Sequence, residues 1–362
     1  MKNRFSSLDI LRGFAASIVL AFHFIGLSLP FFESEGTSPL LGSVSGFCGG
    51  LGTNILLLLS GFLIGKAESD HPGRYFHSLA KRAIRIYPLY AIIVFSGLLL
   101  GFVSPSYSKM SPQQNILESF FQQLVLIPGF FPARPVMTVS WTLSFIFAGY
   151  ITLPLFARIY RLIFRDRFSL VWLWFAVMIG ILAAHYYSSM GFIRMAYIPA
   201  GCLISEATLK KKIGFRGASS FWPGLFGCGF LLAARFEIYQ FQNPSKLYSF
   251  LFVLSGIGAV SGMVLLLFSA EATGFATFKD ALSRLLIWIG KRGYSLYLVH
   301  GTVIKLVLFG AFSLFPTKQW PILFLIPLFI CCFGAALCVA TLSYHVLEKY
   351  LSSWLARRFG LV

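Results

Sequence analysis

The chain has 362 residues, of which 57% are hydrophobic and 12% charged, and its formal net charge is +18. A mean hydropathy of +0.78 excludes an ordinary soluble globular domain and predicts an all-α polytopic membrane protein. No nucleic-acid-binding motif accompanies the basic charge, which membrane topology and contact with anionic lipid account for.

Runs of roughly 17 to 25 mainly apolar residues cross a bilayer. In chain order they fall at 9–29, 44–65, 84–103, 138–157, 168–187, 193–207, 221–236, 248–269, 290–314 and 321–345. The expectation is a bundle of about ten transmembrane helices. Its sixth and seventh members are short and hold Gly or Pro. The opening run has no small-residue cleavage site, so it reads as a first span and not as a signal peptide.

Cytoplasmic loops carry the excess of Lys and Arg. An inside N-terminus gathers Lys2, Arg4, Lys66, Arg74, Lys81, Arg82, Arg85, Arg158, Arg161, Arg165, Arg167, Lys210, Lys211, Lys212, Arg216, Lys279, Arg284, Lys291, Arg292, Lys349, Arg357 and Arg358 on one side. It leaves Lys109, Arg134, Arg194, Arg235, Lys246 and Lys318 on the other. Both termini are therefore expected in the cytoplasm. The segment 104–137 makes a long outer loop, and residues 1–362 read as a single transmembrane domain without an appended soluble domain. Six cysteines lie in apolar segments without CxxC spacing, and read as small core residues rather than a disulfide framework or metal site.

The first helix, "LDILRGFAASIVLAFHF", carries Asp9, Arg12 and His23. Titratable groups in hydrocarbon cost several kcal/mol unless they face a partner or a cavity, so they mark candidate functional positions. Arg12 and His23 stand eleven positions apart, which is about 20° past three full turns and about 16 Å of rise. They share a face. Asp9, three residues before Arg12, is placed to pair with it. An intramembrane His also serves as a hydrogen-bonded packing group, but the Arg on the same face favours chemistry: a neutral imidazole there accepts a proton as a general base.

"KRAIRIYPLY" brings Arg82 and Arg85 onto one helical surface. Basic residues at a helix entrance are the usual positive-inside signal. Arg85, however, stands directly before an apolar run, and guanidinium groups bind phosphates in fork geometry. A ligand with phosphates at the cytoplasmic rim and a reactive end about 16 Å deeper has the shape of coenzyme A.

These blocks resemble the acyltransferase-3 family of integral membrane acyltransferases. "LDILRGFAASIVLAFH" is similar to its N-terminal signature of an Arg and a His separated by ten residues. "GTNILLLLSGFLIG" resembles its second-helix stretch, "KRAIRIYPLY" its RxxR segment, and "SWTLSFIFAGYITLP" its Trp-Ser-Leu block. "GKRGYSLYLVH" resembles its Tyr-Ser-x-Tyr-Leu-x-His element, and "LSYHVLEKY" its closing Ser-Tyr-x-x-x-Glu pattern. The order of the blocks is the family's, over nearly the whole chain.

The resemblance implies an acetyl-CoA-dependent O-acyltransferase of a bacterial cytoplasmic (inner) membrane. Its acceptor would be a cell-envelope glycan such as O-antigen or lipopolysaccharide, lipid-linked, and it would need no metal. His23 would be the catalytic base with Arg12 and Asp9 as companions. Arg82, Arg85 and Arg12 would contact acyl-CoA, and Trp141, Ser144, Tyr297 and His300 would line the cavity. Glu348, beside Lys349 at the end of the last helix, reads as structural. Where family members carry a Glu after the Trp-Ser-Leu block, this chain has Ile146 and Phe147. Two other classes stay open: a sensor or scaffold that has kept the fold, which the missing Glu favours, and a flippase for lipid-linked glycan, against which the sequence offers no internal repeat.

Overall fold

A computed structural model describes residues 5–31, 39–103, 116–126, 139–165, 167–188, 191–209, 225, 228–229, 231–233, 246–272, 280–316 and 320–361. Among the described residues the regular structure is helical. The helices are α1 (Ser6–Ser28), α2 (Pro39–Asp70), α3 (Tyr75–Val103), α4 (Ile116–Leu124), α5 (Ser140–Phe164), α6 (Leu170–Ser188), α7 (Tyr197–Leu209), α8 (Lys246–Ala272), α9 (Ala281–Lys291), α10 (Gly293–Leu314) and α11 (Leu325–Ser343). After α11 the chain runs on through a π-helical segment, Tyr344–Leu351, into α12 (Ser352–Arg358).

Seven of these, among the described residues, are long and apolar enough to cross a membrane: α1, α2, α3, α5, α8, α10 and α11 with its continuation. The expected ten is thus not confirmed: two of its members are shorter, and a third lies mostly outside the described residues. The apolar stretch of α6 is shorter than those seven. The predicted span 193–207 is a 3-10 run, Gly191–Ala196, followed by a helix of 13 residues. Pro199 sits in the first turn of that helix, where a missing N–H costs nothing. Most of 221–236 lies outside the described residues, as do most of the loop 104–137 and Lys2, Arg4, Lys109, Arg134, Lys210, Lys211, Lys212, Arg216, Arg235, Lys279 and Lys318.

The predicted span 290–314 is preceded by a separate helix, α9, which sequence reading missed because its apolar residues Leu282, Leu285 and Trp288 are interleaved with Arg284 and Lys291. Asp280 starts it: its carboxylate accepts from Ser283 N at 2.7 Å, the bond of an N-cap. Hydrogen bonds from Ser283 hold the Asp280 carboxyl below the usual carboxylate range.

The described chain divides into two compact units, and α1 and α2 each contribute to both. The first comprises Met1–Ala15, Gly50–Ser78 and Phe145–Gly290. In it α2 and α7 approach until backbones touch: a Cβ on Gly61 would meet Ile198 O at 1.8 Å, and one on Gly201 would meet Leu58 O at 2.0 Å. Without a hydrophobic drive between helices in lipid, close contact at small residues supplies the association. Gly61→Leu is therefore expected to destabilise the fold by about 1–3 kcal/mol or more, read as a lowered Tm of the detergent-purified protein.

Several carboxylates in this unit are partnered. The Glu271 carboxylate accepts from Ser6 N at 2.8 Å, Ser7 N at 3.0 Å and Ser7 Oγ at 2.6 Å. An anion is thereby set on the N-terminus of α1, where the helix dipole favours it. Arg161 Nη1 donates to Glu68 Oε2 at 2.9 Å, and Ser69 Oγ to Glu206 Oε1 at 2.8 Å.

The second unit comprises Ala16–Gly49, Leu79–Ser144 and Lys291–Val362. Along α3, Leu89, Tyr90, Ile93, Val94 and Leu98 are buried while Ile92, Phe95 and Leu99 are exposed. That split is a helix with one protein-facing side and one apolar outer side, which lipid would cover. Tyr90 Oη donates to Gln123 O at 2.8 Å, tying α3 to α4. Trp320 stacks on Phe31 at 5.6 Å, and its backbone N–H donates to Phe31 O at 2.8 Å. All six cysteines are free; Cys202, Cys228 and Cys332 are buried, whereas Cys331 and Cys338 are exposed on α11 and not core residues.

Candidate functional site

The second unit brings His23 of α1 and His300 of α10 together, with ring centroids 5.1 Å apart and planes inclined by 33°. Phe22 lies at 4.8 Å from the His23 ring. Phe22 is seated on α2 at Gly49, where a Cβ would fall 2.3 Å from its ring. Glycine at that point lets the α1 segment bearing His23 settle against α2.

His300 is fully buried, and its Nδ1 lies 3.1 Å from Leu296 O. A carbonyl only accepts, so Nδ1 carries the proton and the neutral ring presents its lone pair at Nε2. Nε2 is buried and has no hydrogen-bond partner among the described residues. Leaving a buried acceptor unpaired costs about 1–3 kcal/mol, which is the mark of a group kept for something that arrives. Tyr297, three residues earlier on α10, places its ring 5.9 Å from that of His300.

Trp141 and Ser144 stand at the start of α5. Ser144 Oγ is engaged with its own helix, donating to Ser140 O at 3.0 Å. Thr142 Oγ1, between them in sequence, is buried without a hydrogen-bond partner among the described residues. In the first unit Arg12 Nη1 donates to Asp9 Oδ1 at 2.6 Å, with the Asp9 side chain almost wholly buried.

Arg85 is held by a residue 263 positions away: its Nε and Nη2 donate to Glu348 Oε2 at 3.2 and 3.1 Å. Ser295 Oγ donates to the other carboxylate oxygen, Glu348 Oε1, in a short hydrogen bond. Tyr294 Oη donates to Ile86 O at 2.8 Å, next along α3. Sequence reading missed Ser295 and the link from Glu348 to Arg85. The available signal was a carboxylate at the far end of a long apolar helix.

A family model described as an acyltransferase domain, the acyltransferase-3 family, matches residues 5–345. The chain belongs to this family. It is also similar to the acyltransferase MdmB of Streptomyces mycarofaciens, with 26% identity over 325 residues that cover 83% of this chain and 79% of that protein. No solved structure matches the chain. With several apolar membrane-length helices in an acyltransferase-3 chain, the protein is an integral membrane acyltransferase.

Proposed function

We propose that the protein transfers an acetyl group from acetyl-CoA to a hydroxyl of a cell-envelope glycan, with His23 as the general base. The observation that carries this reading is the imidazole pair of half-buried His23 and buried His300, in the compact unit that also holds Arg82 and Arg85. His23 takes the proton of the acceptor hydroxyl as its oxygen attacks the thioester carbonyl carbon. The carbon–sulfur bond then breaks, the thiolate takes the proton from His23, and an O-acetyl ester and CoA leave. The lone pair at His300 Nε2 accepts from the incoming acceptor or from its partner imidazole, fixing the geometry of attack. Asp9 and Arg12 are the companions of His23 on α1: Asp9 holds the Arg12 guanidinium, and Arg12 is a further donor contact.

The donor's phosphates rest on Arg82 and Arg85, and the pantetheine arm runs toward the imidazoles. Cytoplasmic termini, as the distribution of Lys and Arg indicates, put the arginines on the side where acyl-CoA is made. The acceptor is a lipid-linked glycan such as O-antigen, and the membrane is the bacterial inner one. Trp141 and Ser144 serve the acceptor pocket.

The test incubates purified protein in vesicles with radiolabelled acetyl-CoA and candidate lipid-linked glycans. Labelled glycan and equimolar free CoA are expected. CoA binding without turnover marks a sensor, and glycan movement without acylation marks a flippase; either result rejects the reading. In the same assay His300→Ala is expected to lower kcat about tenfold, and a wild-type rate would remove His300 from the reaction.

A further inference from the structure

We propose that Glu348 is the positioning residue of the acyl-donor site, holding the Arg85 guanidinium in the orientation that receives a phosphate and tying it to the helix that carries His300. The inference rests on the reading of Arg85 as a donor contact. Its basis is an asymmetry of burial: the Glu348 side chain is 1% exposed and that of Arg85 57%. A carboxylate sunk in protein presents a cation to the outside.

Glu348 takes Nε and Nη2 on one Oε2 atom. Arg85 Nη1 makes no hydrogen bond among the described residues, so one edge of the guanidinium is committed to Glu348 and the other remains for a second anion. The second carboxylate oxygen is satisfied by Ser295 Oγ. No rotation of Glu348 can free Arg85 without breaking both ends of the bridge.

The helix around Glu348 is built for this contact. Tyr344–Leu351 is π-helical; a π turn holds more residues than an α turn, resets which face each side chain occupies, and recurs at functional sites. The segment is pinned at both ends. Arg292 lies over the Tyr344 ring at 5.4 Å, and the Ser352 hydroxyl proton is shared between Leu347 O at 2.9 Å and Ile84 O on α3 at 3.2 Å. Ser295 and His300 are five residues apart on α10, about 7.5 Å of rise, so one carboxylate links the donor arginine to the helix of the imidazole pair.

A carboxylate near an arriving phosphate also repels it, so the sign of the effect decides the matter. The probe is coenzyme A itself, titrated into purified protein by calorimetry. Arg85→Gln is expected to weaken binding. Glu348→Ala should weaken it about tenfold, as loss of hydrogen bonds to a charged group does. Glu348→Gln accepts from Arg85 through its carbonyl and donates to Ser295, so it should stay within about threefold of wild type. In the Arg85→Gln background Glu348→Ala should add nothing, whereas a merely structural role would still weaken binding.

Equal or tighter CoA binding by Glu348→Ala, with binding weakened in Arg85→Gln, overturns the role of Glu348 alone. Unchanged binding in Arg85→Gln overturns the donor-site reading and this inference with it. Should Glu348→Ala fail to fold, Ser295→Ala carries the test: it is expected to weaken CoA binding about threefold, and unchanged binding overturns the proposal.

Discussion

Replacing His23 with alanine is expected to lower acetyl transfer by about a hundred- to ten-thousandfold, because general base catalysis contributes about 10²–10⁴ and an alanine leaves no group in reach of the acceptor proton. CoA binding should persist, since the donor phosphates are held elsewhere in the unit. His23 is half-buried, beside Phe22 and His300. Truncation therefore opens a small space in a wall of rings without stranding a buried charge, and the purified variant should keep a Tm close to wild type. His23→Gln should be as inactive as the alanine variant, because an amide neither accepts nor returns a proton at neutral pH. Measured rates within about tenfold of wild type for either variant would place the base elsewhere.

The second large effect belongs to the donor site. Arg82→Gln combined with Arg85→Gln is expected to raise the KM for acetyl-CoA about a hundredfold while kcat changes little. Contacts made equally in ground and transition states act on KM alone, and hydrogen bonds to charged groups contribute about 1.5–3 kcal/mol each. The wild-type KM should rise with ionic strength, as screening weakens an exposed ion pair. An unchanged KM together with weaker binding to anionic lipid vesicles would assign the two arginines to lipid headgroups instead.

Long apolar runs were legible because twenty residues without charge have few places to go but a bilayer. Thus α1, α3, α5 and α8 fall close to where the sequence put them. The differences share one physical cause. Apolarity marks a helix that is buried, not one that spans, and 193–207 is apolar but folds as a 3-10 run and a 13-residue helix. The boundary at Lys291–Arg292 was invisible for a related reason: amphipathic α9 runs directly into apolar α10 with a single turn residue between them.

Arg12 and His23 were singled out by their spacing on one helix. Arg82 and Arg85 were readable as a pair for the same reason. The contact of Arg85 with Glu348 spans 263 positions, and periodicity carries nothing at that distance. That Glu348 reaches Arg85 depends also on a π-helical turn, which departs from the 3.6-residue period that sequence reading assumes. The meeting of His23 and His300 joins the first helix to a late one, and only the family resemblance pointed toward it.

The most direct measurement is the fate of the label when purified protein, reconstituted with a lipid-linked glycan, receives radiolabelled acetyl-CoA. An alkali-labile acetyl ester on the glycan, formed with equimolar free CoA by the wild type and absent with His23→Ala, is the predicted result. Ester formed equally by both proteins, or CoA bound with no ester formed, would contradict it.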